Sequence, residues 1–223
     1  MADSEFFQRF QKSRNIAYEQ WHDGIGYDLD AFASMSPEEK KSVLSELRSR
    51  GSLDWRDMEV LALDDDRASF DKLRDVLASG SIDERASALR SLIDMGKIQA
   101  SVCDFQLSHV LDDIDGLPGM TVALQLAQEN AGPMSNAALL RGARDRPGVA
   151  VNFAGMICFL AGASDDEFDW NLRPLFLKLR ESETEAVRKE GFAELCKLIG
   201  IDPAAIPEKG RGMGVTFSRK KRS

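Results

Sequence analysis

The two histidines are the first place to look for chemistry in this chain. His22 stands in YEQWHDGIGYDLDAF, residues 18–32, close to Trp21, Asp23, Tyr27, Asp28 and Asp30. An imidazole among carboxylates is the material of a general base or a metal site. A metal needs several converging ligands, however, and neither His-x-x-x-His nor Cys-x-x-Cys occurs here. The simpler expectation is a loop that closes the first helix and packs Trp21 and Tyr27 onto the next. His109, in FQLSHVLDDI, reads as a helix-face residue. Cys103, Cys158 and Cys196 are odd in number and widely spaced, as expected of reduced, buried thiols rather than a disulfide framework. The glycine-rich stretches GIG (24–26) and GRGMG (210–214) neither follow a strand nor lead into a helix with Lys-Ser/Thr, so they lack the context of a phosphate cradle. There is no Gly-x-Ser-x-Gly and no recognisable Ser-His-Asp arrangement. The sequence therefore nominates no catalytic residue, no metal ligand and no cofactor.

Two other patterns remain. SLDWRDMEVLAL (52–63) and EFDWNLRPLFLKL (167–179) both set Asp-Trp ahead of an Arg and an apolar run. Asp54 and Asp169 have the side chain of a helix N-cap, and Asp57 stands at the capping-box position. Tryptophan and arginine are also favoured interface anchors, which makes Trp55, Arg56, Trp170 and Arg173 candidates, with Trp21 and Tyr27 beside the first helix. Three acidic clusters lie between apolar segments: Asp64, Asp65 and Asp66; Asp112 and Asp113 in DDID; Asp165 and Asp166 in DDEFD. They lack the glycine and closing glutamate of a calcium loop. They read either as solvated caps or as an acidic rim for a basic partner.

These residues must be positioned by helices. Alternating strand segments are missing, whereas apolar residues recur at helical spacing throughout. SPEEKKSVLSELRSR opens with Ser36 as N-cap, Pro37 at the first helical position and Glu39 closing a capping box. Gly96 reads as the stop of DERASALRSLIDMG. Further helices are expected at 104–113, 119–130, 134–144, 148–162, 170–180 and 184–199. With the opening helix, the one after Asp54 and ASFDKLRDVLAS (68–79), which places Phe70, Leu73, Val76 and Leu77 at helical spacing, the count is about eleven, joined by short links that favour antiparallel neighbours.

DERASALRSLIDMG (83–96) and EAVRKEGFAELCKLIG (185–200) also overlay, with Arg85 on Arg188 and Leu92 on Leu195. The first resembles the second helix of a HEAT-like repeat: an acid and an Arg open the helix, small residues follow, and Leu and Gly close it. That resemblance implies an all-α fold, a right-handed stack of antiparallel helix pairs whose usual work is protein binding. The expected layout is one helical domain over 1–207, with 1–35 as an N-terminal cap helix and loop, and a basic, flexible tail over 208–223.

Charge narrows the function further. The net charge is −8, yet the residues from Glu208 onward hold six bases and one acid, so removing them leaves the body at −13. An acidic body repels nucleic-acid backbones and attracts basic proteins. No run approaches a membrane span, and the charged start lacks a signal-peptide core, so a cytoplasmic protein is expected. The leading expectation is a non-catalytic protein-binding module. One form is an immunity-type inhibitor of a basic toxin, as found among small HEAT-like proteins. The alternative is an alkylated-base DNA glycosylase of HEAT-like build, which would need a basic groove. If Asp54 caps its helix, Asp54→Ala should lower stability by roughly 0.5–2 kcal/mol in urea unfolding. An unchanged midpoint would mean that Asp54 does not cap.

Overall fold

The structure, a computed structural model, describes residues 3–15, 24–166, 169–210 and 214–217. The described residues are helical with no strand. They form α1 (Glu5–Ser13), α2 (Leu29–Ser34), α3 (Pro37–Ser49), α4 (Trp55–Ala62), α5 (Arg67–Ser79), α6 (Ile82–Asp94), α7 (Ala100–Asp113), α8 (Met120–Asn130), α9 (Pro133–Asp145), α10 (Pro147–Leu160), α11 (Arg173–Lys178) and α12 (Glu185–Ile199), with 3-10 turns at Trp170–Leu172 and Pro203–Ala205. The all-α expectation holds. The chain contacts divide into two compact units, Met1–Lys97 and Ile98–Ser223.

In the first unit, helices pack mainly on their next and next-but-one neighbours: α3 and α4 on α5, α4 and α5 on α6. The capping boxes read from sequence are present. Ser36 and Glu39 exchange hydrogen bonds at the start of α3, and Ser81 and Glu84 do so at the start of α6. Gly96, at φ 65°, follows the end of α6 in the left-handed region that glycine occupies without strain. Phe10, fully buried, lies in an aromatic cluster with Tyr27 and Phe32.

The second unit centres on α9, which packs against α7, α10 and α12. Small residues let the helices approach. A Cβ on Gly142 would stand 2.4 Å from a Phe153 ring carbon of α10, and Ala137, Ala138 and Ala143 of α9 are buried. The start of α9 is held from outside its own helix. The buried Asp104 carboxylate, from α7, accepts from the amides of Gly132 (3.1 Å), Met134 (3.0 Å) and Ser135 (2.9 Å) and from the Ser135 hydroxyl (2.6 Å). A Cβ at Gly132 would fall 2.6 Å from that carboxylate, so only glycine permits the approach. Arg141 of α9 grips Asp112 with two bonds of 3.0 and 2.7 Å and donates to the Pro207 carbonyl at 3.0 Å.

Three local features differ from the sequence reading. The α2 helix was expected to be loop; six residues are too few to show a 3.6-residue period, and Asp28 caps it. The α7 helix begins at Ala100 rather than 104, because its Gln99 cap makes no side-chain bond and leaves no signal in sequence. The segment expected as a flexible tail carries specific contacts: Val215 is buried, its amide donates to the Pro133 carbonyl at 2.7 Å, and its carbonyl accepts from Asn136 Nδ2 at 3.0 Å. Lys209 pairs with Asp113 at 2.8 Å.

Replacing Asp104 by Ala would leave the first amides of α9 without their acceptor in a buried place. Urea unfolding of Asp104→Ala should show a loss of about 2–4 kcal/mol. A loss below about 1 kcal/mol would mean that water reaches that turn.

Candidate functional site

Both Asp-Trp pairs are helix starts, but their surroundings differ. Asp54 accepts from the amides of Arg56 and Asp57, both at 3.0 Å, and Asp57 accepts back from the Asp54 amide at 3.3 Å. Arg56 folds onto Asp54 Oδ2 at 2.9 Å and lies 4.7 Å from the Tyr27 ring centre. The Tyr27 hydroxyl donates to Asp57 Oδ1 at 2.9 Å, and Arg50 reaches both Asp57 oxygens at 2.8 and 2.9 Å. Tyr27 and Arg56 are buried and Trp55 is half-buried. Tyr27 and Arg56 were candidates for a partner-facing surface; both are buried within the first unit, Tyr27 with its hydroxyl on Asp57 and Arg56 with Nε and Nη2 on Asp54 while its Nη1 has no partner among the described residues. Trp21 and His22 lie outside the described residues.

The acidic clusters are mostly engaged as well. Asp64 takes Arg48 and Ser69, and Asp66 caps α5 while lying 3.2 Å from Arg48. Asp112 holds Arg141 and Asp113 holds Lys209. Asp65 is fully exposed, 3.3 Å from Lys97. Asp165 and Asp166 are exposed, and the Asp166 carbonyl accepts from the Ser164 hydroxyl.

The second Asp-Trp opens onto a surface groove. Asp169 Oδ1 accepts from the Asn171 amide at 2.9 Å and starts the 3-10 turn. Arg173 then begins α11, and Pro174 in its first turn forgoes an amide that would have had no helical acceptor. Leu175, Phe176 and Leu179 turn inward. The α11 helix is pressed on α12 at Gly191, where a Cβ would meet that of Lys178 at 2.8 Å; Lys178 also bridges Glu190 and Glu194. Between this frame and Val151 of α10 lies a cavity of about 400 Å³, walled by Asp169, Trp170, Arg173, Phe176, Leu177 and Arg180.

Trp170 is 77% exposed, and Leu177, also in the wall, is 38% exposed. The Arg173 guanidinium lies 5.2 Å from the Trp170 ring centre, a cation–π contact. Trp170 and Arg173 were among the candidates from sequence, and the structure brings them together. Leu177 and Arg180 were not. The signal was present: Leu175, Phe176 and Leu177 are consecutive, and one helix face cannot bury all three.

All three cysteine thiols are buried. Burial, with Asp169 nearby, pushes the Cys158 thiol up to about 12. Burial also drives Cys196 up to about 11, and raises Cys103 with help from Asp104. Burial, then Asp94 and Asp54, raises the Glu59 carboxyl. No three His, Cys, Asp or Glu side chains gather as metal ligands among the described residues. His109 lies on the α7 face against Phe105, with ring centres 4.5 Å apart. Comparisons with models of protein families, with curated proteins and with solved structures find no match to this chain.

Burial, followed by the charges of Asp57 and Asp54, raises Tyr27 from 10.0 to about 12. A raised folded-state value means that the native protein holds this proton more tightly than the unfolded chain. That stability is fully present below pH 10 and is lost as pH rises towards 12. Urea unfolding across this window should show the native protein losing its advantage over Tyr27→Phe. Parallel profiles for the two proteins would assign the loss to other groups.

Proposed function

We propose that this chain is a non-catalytic protein-binding module of HEAT-like build, and that the Trp170 groove is where it holds its partner. The observation that carries the reading is a large indole left 77% exposed at the edge of a mainly apolar cavity. Exposing that much apolar surface is unfavourable in water, by roughly 25 cal/mol per Å². A partner that covers it recovers this free energy, and tryptophan is among the residues that most often carry binding energy.

The acidic body supports a partner with a basic face. Its charge of −13 would steer such a protein over distances of about one Debye length, roughly 8 Å at physiological salt. Inhibition of a basic toxin is one concrete form of this reading. The steering comes from the summed field, since several of the clustered acids are already paired within the chain. No described helix is long and apolar enough to cross a membrane.

The test is photo-cross-linking in native cells, with a benzophenone amino acid at Leu177 of the groove wall, which leaves Trp170 in place, or, as control, at Leu117, which is 80% exposed. One protein with a basic face should be captured from position 177 and not from 117. Its association with the purified chain should slow on adding salt more than its dissociation quickens. Equal capture at both positions, or none at 177, would remove the groove from the function.

A further inference from the structure

Within the reading of the Trp170 groove as a docking site, on which this inference rests, we propose that its occupant is a partner segment placing a large aliphatic side chain beside an aspartate or glutamate. The aliphatic half comes from the walls. Trp170, Val151, Phe176 and Leu177 offer apolar surface around a cavity of about 400 Å³, ample for a leucine side chain.

The carboxylate half comes from Arg173. Its guanidinium is exposed and rests against the Trp170 indole. No carboxylate among the described residues lies within ion-pair distance of it, so its N–H fork is open. Contact with an indole restricts the guanidinium while leaving its edge free to take a carboxylate with two parallel bonds. The other charges around the groove do not cancel this. Asp169 spends one oxygen on the Asn171 amide. Arg180 is paired with Glu183 at 2.9 Å and donates to the Leu177 carbonyl at 3.3 Å. Lys178 is held by Glu190 and Glu194. Among its described residues the groove thus offers one open cation, on a chain of net charge −8. A wholly acidic partner would be repelled at long range. The matching surface is basic around its margin and carries one acid, next to the aliphatic anchor, at its centre.

The test uses the full chain and short blocked peptides that carry Leu-Glu, Leu-Gln or Ala-Glu at the same two positions. Binding is tracked by the indole Nε1–H resonance of Trp170. The Leu-Glu peptide should shift and saturate that resonance, with an affinity about threefold above Leu-Gln and about tenfold or more above Ala-Glu. In Arg173→Gln the preference for Leu-Glu over Leu-Gln should vanish while that for Leu over Ala remains. Equal binding of Leu-Glu and Leu-Gln, or a preference that survives Arg173→Gln, overturns the carboxylate pairing. A Leu-Glu peptide that leaves Trp170 undisturbed overturns the proposal as a whole. The cross-link at position 177 judges docking independently, so the two failures are distinguishable.

Discussion

A single buried carboxylate organises the second unit. Asp104 belongs to α7, yet its four hydrogen bonds all end in the first turn of α9 and the glycine before it. A helix start leaves amides without acceptors, and in a buried place they must be satisfied by something other than water. Asp104 meets that need and fixes the register of α9 against α7. Because α9 also packs on α10 and α12, and α12 carries α11, the position of Trp170 and Arg173 traces back through this chain of contacts. Gly132 is the sequence condition for it, since any side chain there would occupy the space the carboxylate fills.

The two Asp-Trp pairs show how one local pattern serves two ends. In both, the aspartate does the same work, capping a backbone amide. The segments that come next part ways. After Asp54, an eight-residue helix gives Arg56 and Asp57 partners inside the unit, and Tyr27 completes the network. After Asp169, a three-residue turn ends before any such network can form, and Trp170 is left on the surface. The neighbours decide which Asp-Trp is structural and which is exposed.

That difference also marks where sequence was sufficient. The caps made by Ser36, Glu39, Asp54 and Asp57, and the stop at Gly96, involve only residues a few positions away, so those roles could be read from spacing alone. Asp104 could not be read so, because its partners lie 28 to 31 positions away. Nor could the burial of Arg56: an arginine in a first turn is ordinarily solvated, and only the folded position of Tyr27 turns it inward. Of the groove, Trp170 and Arg173 were visible as residue types. Leu177 was marked by the apolar run at 175–177, whereas Arg180 joins them only once α11 is pressed onto α12.

The seating of Val215 on the first turn of α9 bears on the order in which this chain can be assembled. Asn136 and Val215 are 79 residues apart, and Arg141 reaches Pro207 across 66. Contacts that span so much of a unit require large loops to close before they contribute, which slows folding relative to helices that pack only on near neighbours. In the first unit, by contrast, the side-chain bonds of the Asp54–Asp57 start reach back no further than Tyr27, 30 residues away. During synthesis, that unit has its partners almost as soon as they leave the ribosome. In the second, Asp104 precedes α9, but the Pro133 carbonyl and the Asn136 side chain meet Val215 only at the end of synthesis. Until then, the face of that first turn is the part of α9 open to wrong pairings.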